Sequence, residues 1–187
     1  MTDLSILPSA TLTQVRRFTL DTSCVIAAVN GEEPAASDIE QLVELARSRR
    51  IDIVITSGFE IDQRRVRNER RRANLEWLAS VPLFPVPGPF RLGMSYLDGT
   101  DVLTADDIPA VDEAISNIVL PKGMKPESAP TKRMQDVHHL TAHYMAKCDA
   151  FVTLDDDDMI RNRTELKAKV GIVIMTPSEA VAMARDS

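Results

Sequence analysis

Short apolar runs alternate with longer amphipathic stretches through most of the chain. Residues 17–21 form a short apolar run ending at Asp21 and residues 51–56 are rich in β-branched side chains; both predict strands, as do residues 150–154 and 170–175. Between them the apolar spacing lengthens to a helical period. A short helix is predicted through Cys24-Val25-Ile26-Ala27-Ala28, with Thr22 and Ser23 as caps. Ile39, Leu42, Val43, Leu45 and Ala46 mark a second helix, which Ser37 or Asp38 would cap. Phe59, Val66, Ala73 and Trp77 mark a third over residues 57–79. Further helices are predicted over residues 107–120, 131–147 and 157–169, and a last one opens at Thr176-Pro177. Strands alternating with helices predict a three-layer α/β/α fold around a mostly parallel sheet.

Residues 82–130 break this rhythm. They hold eight of the eleven prolines and four of the seven glycines, so apart from the helix at 107–120 little regular structure is predicted there. A chain of 187 residues suits a single domain spanning 1–187 with an insertion at about 82–130.

Composition narrows the function classes. A 4% aromatic share argues against a single-strand binder built on stacking platforms. At a net charge of −6, a polyanion must be met by a local basic patch. That patch is found in Arg64, Arg65, Arg67, Arg70, Arg71 and Arg72, against which Glu69 and Glu76 supply too few acids for full i,i+4 pairing. Arg64, Arg67 and Arg71 are the candidate nucleic-acid contacts. No secretory signal or membrane-length apolar run is visible, and a cytoplasmic protein is expected. Cys24 and Cys148 fit neither a disulfide framework nor a zinc pattern and are expected to be small buried hydrophobes.

The acids carry the chemistry. Asp21 ends the run Phe18-Thr19-Leu20-Asp21, and Asp155 ends Phe151-Val152-Thr153-Leu154-Asp155. Glu60 stands just past the second strand, with Asp62 as its alternative, and Asp136 lies early in the 131–147 helix. In a doubly wound sheet such positions meet at the carboxyl edge of the strands. Carboxylates gathered there repel one another unless a hard divalent cation sits between them. Asp156 and Asp157 are expected only to complement a helix N-terminus. His139 and His143 have the i,i+4 spacing of a zinc pair but no clear third ligand, and both are expected to be partly exposed helix residues, with His138 pointing away. Asp98-Gly99-Thr100 is reminiscent of haloacid-dehalogenase phosphatases, but Tyr96 stands where the first acid of that motif belongs, and a turn is expected.

In order and setting, these blocks resemble the PIN-domain family of metal-dependent ribonucleases. Leu20-Asp21-Thr22-Ser23 is similar to its first strand-end motif, and Ile55-Thr56-Ser57-Gly58-Phe59-Glu60 to its second segment. Gln135-Asp136-Val137-His138-His139-Leu140 and Ala150-Phe151-Val152-Thr153-Leu154-Asp155-Asp156-Asp157-Asp158 are similar to its third and closing blocks. The resemblance spans residues 17–80 and 131–186, leaving the insertion outside. It implies a PIN-like fold and hydrolysis of RNA phosphodiester bonds with Mg²⁺ or Mn²⁺, Asp21, Glu60, Asp136 and Asp155 being the catalytic acids. Asp21, Asp136, Asp155 and a peripheral Asp158 would hold the metal, with Thr153 in support. RNA, a homodimer and a protein inhibitor of antitoxin type are the partners it implies. The rival expectation is a catalytically weak or inactive PIN-like module that binds RNA or protein.

Overall fold

The computed structural model describes residues 15–64, 66–91, 95, 101–104, 107–120 and 131–186. Among them five strands form one all-parallel sheet in the order β3-β2-β1-β4-β5: β1 (Arg16–Leu20), β2 (Ile51–Thr56), β3 (Leu83–Val86), β4 (Ala150–Val152) and β5 (Ile174–Met175). Strand alternation divides the core in two. Phe18, Leu20, Ile51, Ile53, Ala150 and Val152 face α1 (Thr22–Asn30), α2 (Ala35–Arg47) and α8 (Pro177–Arg185). Phe151 and Ile174 face the other way, onto α5 (Ile108–Val119), α6 (Thr131–Met145) and α7 (Arg163–Val170). This is the α/β/α arrangement that the pattern predicts.

Strand order reverses at β1. The chain winds outward through β2 and β3, then returns to lay β4 on the other flank of β1. The crevice above the carboxyl ends of β1 and β4 is therefore the place where this topology can hold a ligand.

Several local expectations are corrected. Strand β3 lies inside the segment expected to be irregular. It tolerates Pro85 because it is the sheet edge, where a missing N–H leaves no ladder partner unmet. The helix expected at 57–79 is two, α3 (Gly58–Gln63) and α4 (Asn68–Ser80), and Arg67 between them is extended. One continuous helix would stack Arg64, Arg67 and Arg71 at like-charge spacing, which weakens it. The buried side chains of Gln63 and Asn74 are joined across the break at 2.9 Å. Neither Ser37 nor Asp38 caps α2, which begins at Ala35. The 157–169 helix starts instead as a π-helical turn over Asp156–Ile160. Cys24 is fully buried as expected, whereas Cys148 is partly exposed. Residues 96–100, with the Asp-Gly-Thr sequence, and Arg65 lie outside the described residues. Among the described residues no helix is long and apolar enough to cross a membrane.

Candidate metal centre

Asp21 leaves the end of β1 and caps α1 itself, the role expected of Thr22 or Ser23. Its Oδ2 accepts from Ser23 Oγ at 2.6 Å, from Thr153 Oγ1 at 2.9 Å and, more weakly, from Ser23 N at 3.4 Å. Thr153, the residue after β4, thus ties the two strand ends together. The Asp21 N–H donates to Val152 O across the same seam.

Asp155 caps the π-helical turn. Its Oδ1 accepts from the N–H groups of Asp157 and Asp158 at 3.0 and 2.9 Å, and its Oδ2 from Lys132 Nζ at 3.2 Å. Burial raises its pKa, but those N–H groups and Lys132 outweigh burial and hold the carboxyl below its ordinary value. Asp158, next along the turn, is buried and paired with Arg133 at 3.2 Å. Asp156 and Asp157 are exposed, and the Asp157 carboxylate forms a surface pair with Arg161.

Helix α6 brings in Asp136. Its side chain is buried beneath the strand ends, and its Oδ2 accepts no hydrogen bond among the described residues. Burial and the nearby charges of Asp21 and Asp155 raise its pKa to about 7, against the opposing pull of His139 and Lys132. Asp136, Asp155 and Asp158 each place a carboxylate oxygen within 4.8 Å of the other two. Three convergent carboxylates, one with an unsatisfied buried oxygen, form a donor set suited to Mg²⁺ or Mn²⁺. Asp158, expected at the periphery, is a full member of this cluster. Asp21 adjoins it and acts on Asp136 through its charge, while its own Oδ2 is occupied by the three donors.

Glu60 is not brought to this cluster. It lies on the exposed face of α3, and Asp62 takes the inward position. Two residues along a helix differ by about 200° in direction, so only one of the two can face inward. Asp62 Oδ2 accepts from Thr22 Oγ1 at 2.5 Å and lies 3.0 Å from His139 Nε2. Burial alone would lift Asp62 and lower His139; their mutual attraction reverses both, leaving the acid below and the histidine above its ordinary pKa.

All three α6 histidines are buried, contrary to the partial exposure expected of His139 and His143. His139 meets Thr56 Oγ1 through Nδ1 at 2.6 Å, and His143 meets Thr19 Oγ1 through Nδ1 at 2.8 Å. His138 lies 3.0 Å from Ser57 Oγ and 3.6 Å from Asp101. Burial keeps His143 neutral, with its pKa pushed down to about 3. The sequence signal for these contacts is the placement of Thr19 between the apolar Phe18 and Leu20 of β1 and of Thr56-Ser57 at the end of β2. Each hydroxyl is the partner of one α6 histidine. The histidines join no metal-ligating cluster among the described residues.

Arg64, Arg67 and Arg71 are all exposed, but they are spread over the end of α3, the break and the first turn of α4 rather than one helix face. Nearby on α4, Arg72 pairs with Glu76 at 3.4 Å on the surface.

No family model matches the chain, and no curated protein does. Among solved structures it is similar to a chain of the crystal structure of VapBC2 from Rickettsia felis bound to a DNA fragment from their promoter. The TM-score is 0.49 at 11% identity, and the match covers 86% of this chain and 98% of that one.

Proposed function

We propose that the protein is a metal-dependent ribonuclease that hydrolyses RNA phosphodiester bonds, with Mg²⁺ or Mn²⁺ held by Asp136, Asp155 and Asp158. The observation that carries this reading is the convergence of those three carboxylates within 4.8 Å, with Asp136 Oδ2 buried and unsatisfied. A divalent cation bound there supplies a water of lowered pKa and positive charge against the phosphate. Asp136 must shed its proton to act as a ligand, and its raised pKa makes that step pH-dependent near neutrality. Asp155 is held ready in its charged form by the turn N–H groups. Asp21, fixed by Ser23 and Thr153, stands beside the cluster. Asp62, clamped by Thr22 and His139, is in this reading the second acid in place of Glu60. Arg64, Arg67 and Arg71 supply sequence-independent phosphate contacts away from the reacting centre. A homodimer and an inhibitor of antitoxin type belong to the proposal through the family resemblance alone.

The test is cleavage of single-stranded RNA by purified protein with Mg²⁺ or Mn²⁺. Asp136→Asn keeps the side-chain shape and should nearly abolish cleavage, while Asp157→Asn should lower it little. Chelator should silence the wild type. Wild-type protein that cuts no RNA with either metal would point to the binding module instead.

A further inference from the structure

Two cations of the first turn of α6 occupy the carboxylate cluster. Lys132 Nζ lies 3.2 Å from Asp155 Oδ2, and an Arg133 guanidinium nitrogen lies 3.2 Å from Asp158 Oδ1. They precede Asp136 by four and three residues, the helical spacing that places all three on one face. Asp136 receives neither head group, and its Oδ2 is left unsatisfied. The chain thus pairs two of its three clustered acids with its own cations and leaves the third with no direct ion pair among the described residues.

Charge counting gives this arrangement a consequence. With all five side chains ionised, the cluster closed by Lys132 and Arg133 carries one net negative charge. Adding a divalent cation changes that to one net positive charge, the complement of a single phosphodiester. Asp155 Oδ2 and Asp158 Oδ1 cannot serve the cation fully while also holding an ammonium and a guanidinium. The Lys132 side chain is 69% exposed and free to swing outward; that of Arg133 is 31% exposed. Once released, both heads stand at the mouth of the pocket, about one helical turn from Asp136, where a phosphate is drawn to charge-assisted donors.

We propose that Lys132 and Arg133 are phosphate-positioning residues that serve as internal counter-ions of the carboxylate cluster until a divalent cation displaces them. This rests on the metal-dependent nuclease reading above. It assigns the phosphate contacts at the reacting centre to α6, separate from the arginines around α4.

The test uses the full chain, with Lys132→Met and Arg133→Gln made singly and Lys132→Arg as the charge-retaining control. Mn²⁺ affinity is measured by calorimetry. Binding of a non-cleavable 2′-O-methyl single-stranded oligonucleotide is measured by fluorescence anisotropy with and without Mn²⁺. Losing an internal counter-ion should tighten Mn²⁺ binding about two- to fivefold, the scale of an exposed ion pair. The same variants should bind the oligonucleotide about two- to fivefold more weakly with Mn²⁺ and nearly as wild type without it. Lys132→Arg should restore both behaviours. A purely structural role would not move the two affinities in opposite directions. If wild type binds Mn²⁺ but neither variant binds it more tightly, or if oligonucleotide binding falls equally with and without metal, this inference is overturned and the nuclease reading stands. If wild type binds no Mn²⁺, the nuclease reading fails and this inference fails with it.

Discussion

Removing the Asp136 charge should stabilise the metal-free protein, by an amount that grows as pH rises from about 4 to about 7 and then levels off. The Asp136 carboxyl has its pKa raised to about 7 in the fold, against about 3.9 in an unfolded chain. A raised folded-state pKa contributes stability that is full below the unfolded pKa and is lost as pH climbs through the folded value. At pH 4 the native side chain is protonated and costs little. At pH 8 it is charged in a buried site beside Asp21 and Asp155. Three pKa units at about 1.4 kcal/mol each set an upper bound of about 4 kcal/mol on that cost. Asparagine mimics the protonated acid at every pH. Asp136→Asn in chelator should therefore match wild type near pH 4 and exceed it at pH 8. At roughly 2–4 °C per kcal/mol for a chain of this size, the rise in Tm at pH 8 should be on the order of several degrees, and at most about 15 °C. Thermal unfolding in EDTA across pH 4–8, followed by circular dichroism, reads this directly. Titrating groups common to both proteins largely cancel in the difference. A variant less stable than wild type at pH 8, or a difference independent of pH, would refute the idea of a strained buried charge. With Mn²⁺ at pH 8 the order should reverse, because only the wild type would gain the stabilisation of a ligand bound to the native state.

Three further outcomes are expected. Glu60→Gln should leave stability and RNA cleavage near wild type, whereas Asp62→Asn, which leaves a buried His139 without its counter-charge, should cost about 2–3 kcal/mol in urea unfolding. Replacing Arg64, Arg67 and Arg71 with Gln should weaken RNA binding and flatten its dependence on salt, read as the slope of log Kd against log salt; unchanged affinity at several salt concentrations would mean that these arginines are merely a solvated face. Gly88→Ala should be destabilising by about 1–3 kcal/mol in the same unfolding assay, since its Cβ would fall 2.4 Å from His138 Nε2 inside the core.

Much of this protein is determined locally. Alternation along Phe18-Thr19-Leu20 and Phe151-Val152-Thr153 fixes which side chains face each helix layer, because a strand has a period of two whatever surrounds it. The placement of Asp21 and Asp155 at strand ends follows from the same local pattern, as does the parallel sheet that sets those ends side by side. Other features depend on contacts between distant segments. Whether Glu60 or Asp62 faces inward is decided by Thr22 and His139, which lie 40 and 77 residues from Asp62. The same applies to the histidines of α6: an i,i+4 pair looks alike on a solvated face and in a core, and the hydroxyls of Thr19, Thr56 and Ser57, together with Asp62 and Asp101, make burial affordable. Pro85 argues against a strand by local propensity, yet β3 forms because its position at the sheet edge removes the penalty. Asp158 joins the cluster because the chain leaves Asp155 in a π-helical turn, whose wider spacing no residue pattern announces. Propensity and period act over a few residues and are written in the sequence; the partner that satisfies a buried charge is chosen by the packing of the whole sheet.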